Sequence, residues 1–159
     1  MKMSPFWLKW MMRLYPPLLF NRIVLQRVSK DFKEIDVVIK RSFLNRNLQG
    51  TIFGGTIFSA ADPFHSLMYW QIFAQQNIPC EAWLRAAEIS YIKPGASNLH
   101  LAFRITDEDI NDATQMLEKE GRVKKWHTVQ MLNATNELCV EVKVLVYLRK
   151  KGESNKSVF

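Results

Sequence analysis

Between Arg46 and Arg85 the chain carries no lysine or arginine, and in the middle of that apolar stretch, 19 residues from the Glu81 near its end, stands one acid, Asp62. Taking a lone carboxylate out of water is costly, so an acid retained in such a setting is a candidate for chemistry. Eight residues upstream, Gly54 and Gly55 open a run that reads as a long helix. The first turn of a helix leaves backbone N–H groups without intrahelical partners, and these can hold a developing negative charge. An anion hole together with an acid points to acyl chemistry. Both features also have plainer readings. Paired glycines let a helix pack closely on a strand, and a buried acid can be a structural group satisfied by nearby hydroxyls. Ser59 and Ser66, about one turn either side of Asp62, are placed to be those hydroxyls. Pro63 has no N–H and so frees the carbonyl of Ser59, which predicts a kink beside the acid.

The elements that must position these residues follow from periodicity. Residues 54–76 are apolar nearly all round, the mark of a helix enclosed by protein. A membrane span is disfavoured, because Asp62, Pro63, His65, Ser66 and Gln71 interrupt the stretch and no cations flank it closely. Upstream, Leu18 to Val28 continues a helix-like apolar pattern, and Phe32 to Phe43 switches to a period of two with Ile35, Val37 and Ile39 on one face. Residues 45–51 are a polar connection. Leu84 to Ile92 runs into Lys93-Pro94-Gly95, a turn signal, and Leu99, Leu101, Phe103 and Ile105 then alternate, so a hairpin is expected. Thr106 and Asp109 stand at capping-box spacing, with Ile110, Ala113 and Leu117 inward and Gly121 as the stop of a short acidic surface helix. Val123 to Leu132 and Leu138 to Leu148 form a last strand pair joined through 133–136, where asparagines tolerate a turn. Gly152 to Phe159 reads as a frayed tail. Strand, enclosed helix and four antiparallel strands make an α+β fold, a sheet wrapped around one central helix.

With 159 residues, 48% of them hydrophobic, the chain suits one domain with one core. We expect a helical arm over 1–29, the main domain over 30–150 and a tail over 151–159. Cys80 and Cys139 lack the spacing of a zinc or redox pair and are too few for a disulfide framework, which fits a reducing, cytoplasmic setting. The net charge is +7, although six of the 15 acids crowd into 107–120, so the remaining surface is strongly basic and attracts anions. Nucleic acid has no support beyond that charge, since the bases are scattered rather than interleaved with aromatics in a motif. His100 and His127 have no carboxylate or thiol at ligand spacing, and His65 stands alone on its helix, so neither a metal nor a cofactor is expected. In the arm, Lys9 and Arg13 interrupt the apolar run a signal peptide needs. Lys2, Lys9 and Arg13 form one stripe and leave a broad apolar face bearing Trp7 and Trp10, which either packs on the domain or makes peripheral membrane contact through 1–15. Packing is the default.

The order of elements resembles the hotdog fold, and the residues around Asp62 resemble the phenylacetate-pathway type of acyl-CoA thioesterase within that superfamily. The family pattern is Asn, five residues, His-Gly-Gly, six residues, Asp. Here Asn47, five residues, Phe53-Gly54-Gly55, six residues and Asp62 keep the spacing, with Phe53 in place of His. Glu88-Ile-Ser-Tyr-Ile-Lys-Pro-Gly95 is similar to the strand and turn that follow the helix in the family, and the likeness spans 30–148. It implies a homodimer or a dimer of dimers with acyl-CoA bound between subunits. On that pattern the Gly54 N–H, with Gly55, binds the thioester oxygen. Asp62 reaches over from the other subunit as base or nucleophile, and Asn47 orients the water or the carbonyl.

The leading expectation is an acyl-CoA thioesterase for medium or long acyl chains, since the aromatics and methionines of arm and helix favour an apolar tunnel. Arg85, Arg122, Lys124, Lys125, Arg149 and Lys150 are candidates for the CoA phosphates. Phe53 can neither donate nor accept a hydrogen bond, which keeps open a non-catalytic acyl or lipid carrier on the same dimer. Hydration or dehydration of acyl thioesters needs a histidine beside the acid, and only His65 could serve.

Overall fold

The computed structural model describes residues 1–152. Past Gly152, the expected tail lies outside them. Helix α1 (Pro5–Leu14) is capped by Ser4, whose side chain accepts from the Trp7 N–H, and α2 (Pro16–Phe20) follows at once. Strands β1 (Ile23–Val28) and β2 (Glu34–Ile39) come next, then a single 3-10 turn at Phe43–Asn45. The inner helix is α3 (Gly54–Ala61) continued by α4 (Pro63–Gln75). Then come β3 (Cys80–Tyr91), β4 (Leu99–Arg104), α5 (Asp107–Glu120), β5 (Arg122–Leu132) and β6 (Leu138–Lys150).

All six strands join one antiparallel sheet in the order β1-β2-β4-β5-β6-β3. Its concave face carries the alternating apolar residues: Ile35, Val37 and Ile39 of β2, Leu101 and Phe103 of β4, and Val140, Val142, Val144 and Val146 of β6, all buried. Against them lie Phe64, Met68, Tyr69, Ile72 and Phe73 of α4, also buried. The helix is therefore the centre of the core, as its all-round apolar composition predicts. The acidic helix α5 has the expected capping box between Thr106 and Asp109, and Gly121 ends it in the left-handed conformation with φ 67°.

Two expectations fail. Residues 18–28 are not a helix: α2 ends at Phe20, Arg22 turns the chain with φ 58°, and β1 pairs with β2 through a bulge between Leu25 and Arg27. Short apolar runs fit either period, and pairing with β2 decides in favour of the strand. The hairpin expected from Leu84 to Ile105 does not form either. β3 pairs with β6, whereas β4 lies between β2 and β5 on the other half of the sheet. Residues 92–98 are a crossing, held where the Cys139 carbonyl accepts from the Ile92 and Lys93 N–H groups and the Gly95 carbonyl accepts from Ile52.

The sheet is not uniformly closed. β4 and β5 pair only at His100–Leu132 and Leu101–Met131, and beyond these the strands part. From within, the opening is backed by His65 against Phe103, and by Tyr69, whose hydroxyl lies 3.1 Å from His127 Nε2. Its outer side is a groove of about 640 Å³ bordered by Asp36, His100, Ala102, Thr128 and Gln130.

Candidate active site at the start of the inner helix

Helix α3 begins without a side-chain cap, because its N-cap residue is Phe53. The first bond of the helix runs from the Ile57 N–H to the Phe53 carbonyl at 3.1 Å, so the N–H groups of Gly54, Gly55 and Thr56 have no backbone acceptor among the described residues. Gly54 lies on a groove of about 390 Å³ shared with Asn47, Thr51, Ile57, Tyr91 and Lys93. Glycine is needed there for room: a Cβ on Gly54 would stand 3.0 Å from Tyr91 Oη, and one on Gly55 would collide with the Phe53 ring. The Tyr91 hydroxyl donates to the Gly54 carbonyl at 3.1 Å and so fixes the wall of the groove against the helix start.

Asn47 shares the groove, but its amide is engaged in its own turn. Nδ2 donates to Thr51 Oγ1 at 2.9 Å, and Oδ1 accepts from the Thr51 N–H at 3.1 Å. It therefore shapes the loop that presents Phe53 and Gly54.

Asp62 stands at the junction of α3 and α4 with φ −60° and ψ −59°, and Pro63 opens α4, which is the break expected beside the acid. Its side chain is exposed on the single chain, and among the described residues it has no hydrogen bond or ion pair. Surrounding protein still removes enough water to raise its pKa above the ordinary carboxylate value. The serine partners proposed for it are elsewhere. Ser59 Oγ donates to the Gly55 carbonyl at 2.8 Å, satisfied by its own helix, and Ser66 faces the core, where its hydroxyl has no partner. Asp62 does not line the Gly54 groove. At 1.5 Å per residue, α3 holds the two about 12 Å apart along its axis.

Of the expected phosphate ligands, Arg85 sits in the β3 bulge with its guanidinium 5.4 Å over the Tyr147 ring. Lys125 is held by Asp109 and Asp112, and Arg149 by Glu81. The cation that lines the groove is Lys93, in an exposed pair with Glu137 at 2.8 Å. Tyr91 and Lys93 belong to the segment that carries the family likeness, yet nothing local in the sequence marks their side chains as facing Gly54.

Sequence reasoning also missed a histidine pair, His65 buried and His127 half-buried. His65 stacks on His127 with ring centroids 4.5 Å apart, and His65 Nδ1 has no hydrogen-bond partner. The two lie on different elements, so spacing could not reveal them.

A family model described as a domain of unknown function (DUF4442) matches residues 6–152. The chain belongs to the DUF4442 family. No protein of curated function matches this DUF4442 chain. In structure it is similar to PA5026 of Pseudomonas aeruginosa, a protein of unknown function, with 13% identity, a TM-score of 0.79 and coverage of 94% of this chain and 98% of that one. It is also similar to the thioesterase HI1161 of Haemophilus influenzae, with 10% identity, a TM-score of 0.70 and coverage of 98% and 97%. The smu.793 protein of Streptococcus mutans, solved with acetyl CoA, matches with 18% identity, a TM-score of 0.60 and coverage of 84% and 94%. At these identities the likeness establishes the fold alone: this DUF4442 chain has the hotdog architecture.

Proposed function

We propose that the protein is an acyl-CoA thioester hydrolase that works as a homodimer or a dimer of dimers. The observation that carries this reading is the pair of unsatisfied groups at the two ends of α3: free N–H groups at Gly54 and Gly55, and an exposed, unpaired carboxylate at Asp62. About 12 Å apart on one helix, they cannot serve one carbonyl within a chain. Two chains related by a two-fold axis could bring each to the other's partner. Strand β3 supports such an assembly, since it is the outer strand of the sheet and leaves a 12-residue edge unpaired. Phe43, Leu44, Leu48, Phe53 and Phe58, around the start of α3, are exposed in the single chain and would be covered by a second copy.

In this reading the thioester oxygen accepts from the Gly54 and Gly55 N–H groups, which favours the negative charge that grows as the carbonyl is attacked. Asp62 of the partner subunit takes a proton from water, whose oxygen bonds to the carbonyl carbon. The carbon–sulfur bond then breaks, and CoA leaves as thiolate and takes up the proton. Lys93 is the phosphate ligand nearest the groove. The apolar lining of the inner helix suits a medium or long acyl chain.

Phe53 favours a second reading. Its ring lies against Gly55, where the family pattern has a group able to hydrogen-bond; in this reading the site holds an acyl thioester without cleaving it.

Complementation separates the two. Across a panel of acyl-CoA chain lengths, Asp62→Asn and Gly54→Pro homodimers should each lose about 10²-fold or more in kcat/KM, the proline because it removes the Gly54 N–H at a first helical position that tolerates it. Mixed and allowed to exchange subunits, they should recover about a quarter of wild-type activity, because half of a two-fold dimer population is mixed and each mixed dimer has one intact site. The wild type should lose kcat/KM on acidification at a pH above that of an ordinary aspartate, following the raised Asp62 pKa. Acyl-CoA binding with no turnover by the wild type would establish the carrier instead.

A further inference from the structure

We infer that the outer face of α1 and α2 is a docking surface for an anionic lipid bilayer. Only Leu8 and Met12 of α1 and Leu18 of α2 are buried, which is a narrow inner stripe. The rest of the apolar face is turned outward: Phe6 is 63% exposed, Trp7 67%, Trp10 44%, Leu14 65% and Phe20 68%. At 100° per residue, positions 6, 7, 10, 11 and 14 make one continuous band, with Lys9 and Arg13 along its border. Arg13 lies 5.5 Å over the Trp10 ring. Tryptophan with basic residues beside it is the composition of a helix that lies in a lipid headgroup layer.

The arm is a fixed platform. The Met3 N–H donates to Gln71 Oε1 at 2.9 Å, Gln75 Nε2 donates to the Met3 carbonyl at 3.1 Å, and Arg13 Nε donates to the Leu25 carbonyl at 2.9 Å. No helix among the described residues is long and apolar enough to cross a membrane, so the contact is with a surface.

Charge selects the occupant. Residues 1–30 contain six bases and no acid, and among the described residues Lys2, Lys9, Arg22 and Lys30 have no carboxylate partner. A second copy of this chain would set the same cations against themselves, since a two-fold contact pairs like patches. An anionic headgroup layer complements them, with each base near the surface adding attraction. The platform is tied to the proposed site, because Thr56 Oγ1 of α3 donates to Asn21 Oδ1 at 2.7 Å just after α2. Supply of long-chain acyl thioester from the bilayer rests on the function proposed above, whereas the docking itself does not.

The test is co-sedimentation of the full chain with vesicles of phosphatidylcholine alone and of phosphatidylcholine with phosphatidylglycerol, at low and high salt. Binding should be on the order of tenfold tighter or more to the anionic vesicles, weaken with salt, and shift tryptophan emission to the blue. A Trp7→Ser/Trp10→Ser variant, altered only at exposed positions, should keep its melting temperature and bind the anionic vesicles on the order of tenfold more weakly. Equal or absent binding to the two vesicle types, or undiminished binding by the variant, overturns the inference. So does a change in the variant's oligomeric state on ultracentrifugation, which would make the face a contact between copies. None of these readouts needs thioesterase activity.

Discussion

Burial lowers the His65 pKa to about 3, with the positive charge that His127 can carry pushing in the same direction. Burial lowers the His127 pKa as well. A histidine with a depressed pKa in the fold gives stability that is complete above the unfolded value and is lost as pH falls toward the folded one. The unfolding free energy should therefore drop between pH 6.5 and about 4.5, a window above the range in which the low-pKa carboxylates Asp36, Asp109 and Glu137 take up protons. The contribution of His65 reaches about 1.4 kcal/mol per pH unit when it stays neutral throughout. Urea unfolding of wild type and His65→Phe at several pH values in that window should show a shallower slope for the variant. Equal slopes would mean that His65 is protonated without unfolding. Asp62 has the opposite sign. With its pKa raised, the carboxylate weakens the single chain as pH rises through the folded value.

In the proposed site, the start of α3 is where packing would become chemistry. Gly54→Ala should improve helix propensity yet press on Tyr91 Oη, so the cost should appear in activity and little in stability. Tyr91→Phe removes the bond to the Gly54 carbonyl, worth about 0.5–1.5 kcal/mol, and also the atom nearest the new methyl. Acyl-CoA hydrolysis by the Gly54→Ala/Tyr91→Phe double variant should therefore exceed that of Gly54→Ala alone. If it does not, the methyl harms the site in some way other than through Tyr91. Elements whose signals are local were legible in the sequence: the α5 capping box, the β6 alternation, and the break that Pro63 imposes beside Asp62. Partners far apart in sequence were not. Lys93-Pro94-Gly95 marks a turn but does not say which strand lies next, so the β3–β6 pairing was missed. Ser59 is at the right spacing to meet Asp62, but a serine within a helix can bond the carbonyl four residues back, and it does so.

At the scale of the molecule, chain order and the enclosed helix were enough to give the hotdog architecture, whereas the way the sheet holds together was visible only in coordinates. The single chain also leaves the two halves of its proposed site facing outward, so on the proposed reading the functional unit is larger than one chain. Within the chain, β4 and β5 share only two residue pairs, which divides the sheet into two leaves, β1-β2-β4 and β5-β6-β3, each internally well bonded. The Ile105 N–H bonds the Lys33 carbonyl on the β2 side, so by alternation the Ala102 and Arg104 amides point toward β5; the Leu101–Met131 pair engages that of Ala102, and the Arg104 amide faces the opening. Hydrogen exchange at Arg104 should be on the order of tenfold faster than at Leu101 and Phe103, which face β2. Equal protection would mean that the seam is shut. A sheet hinged along this line can change the girth it offers α4 without giving up a ladder, so a bulkier guest beside the helix could be accommodated by rotating one leaf rather than by repacking the core.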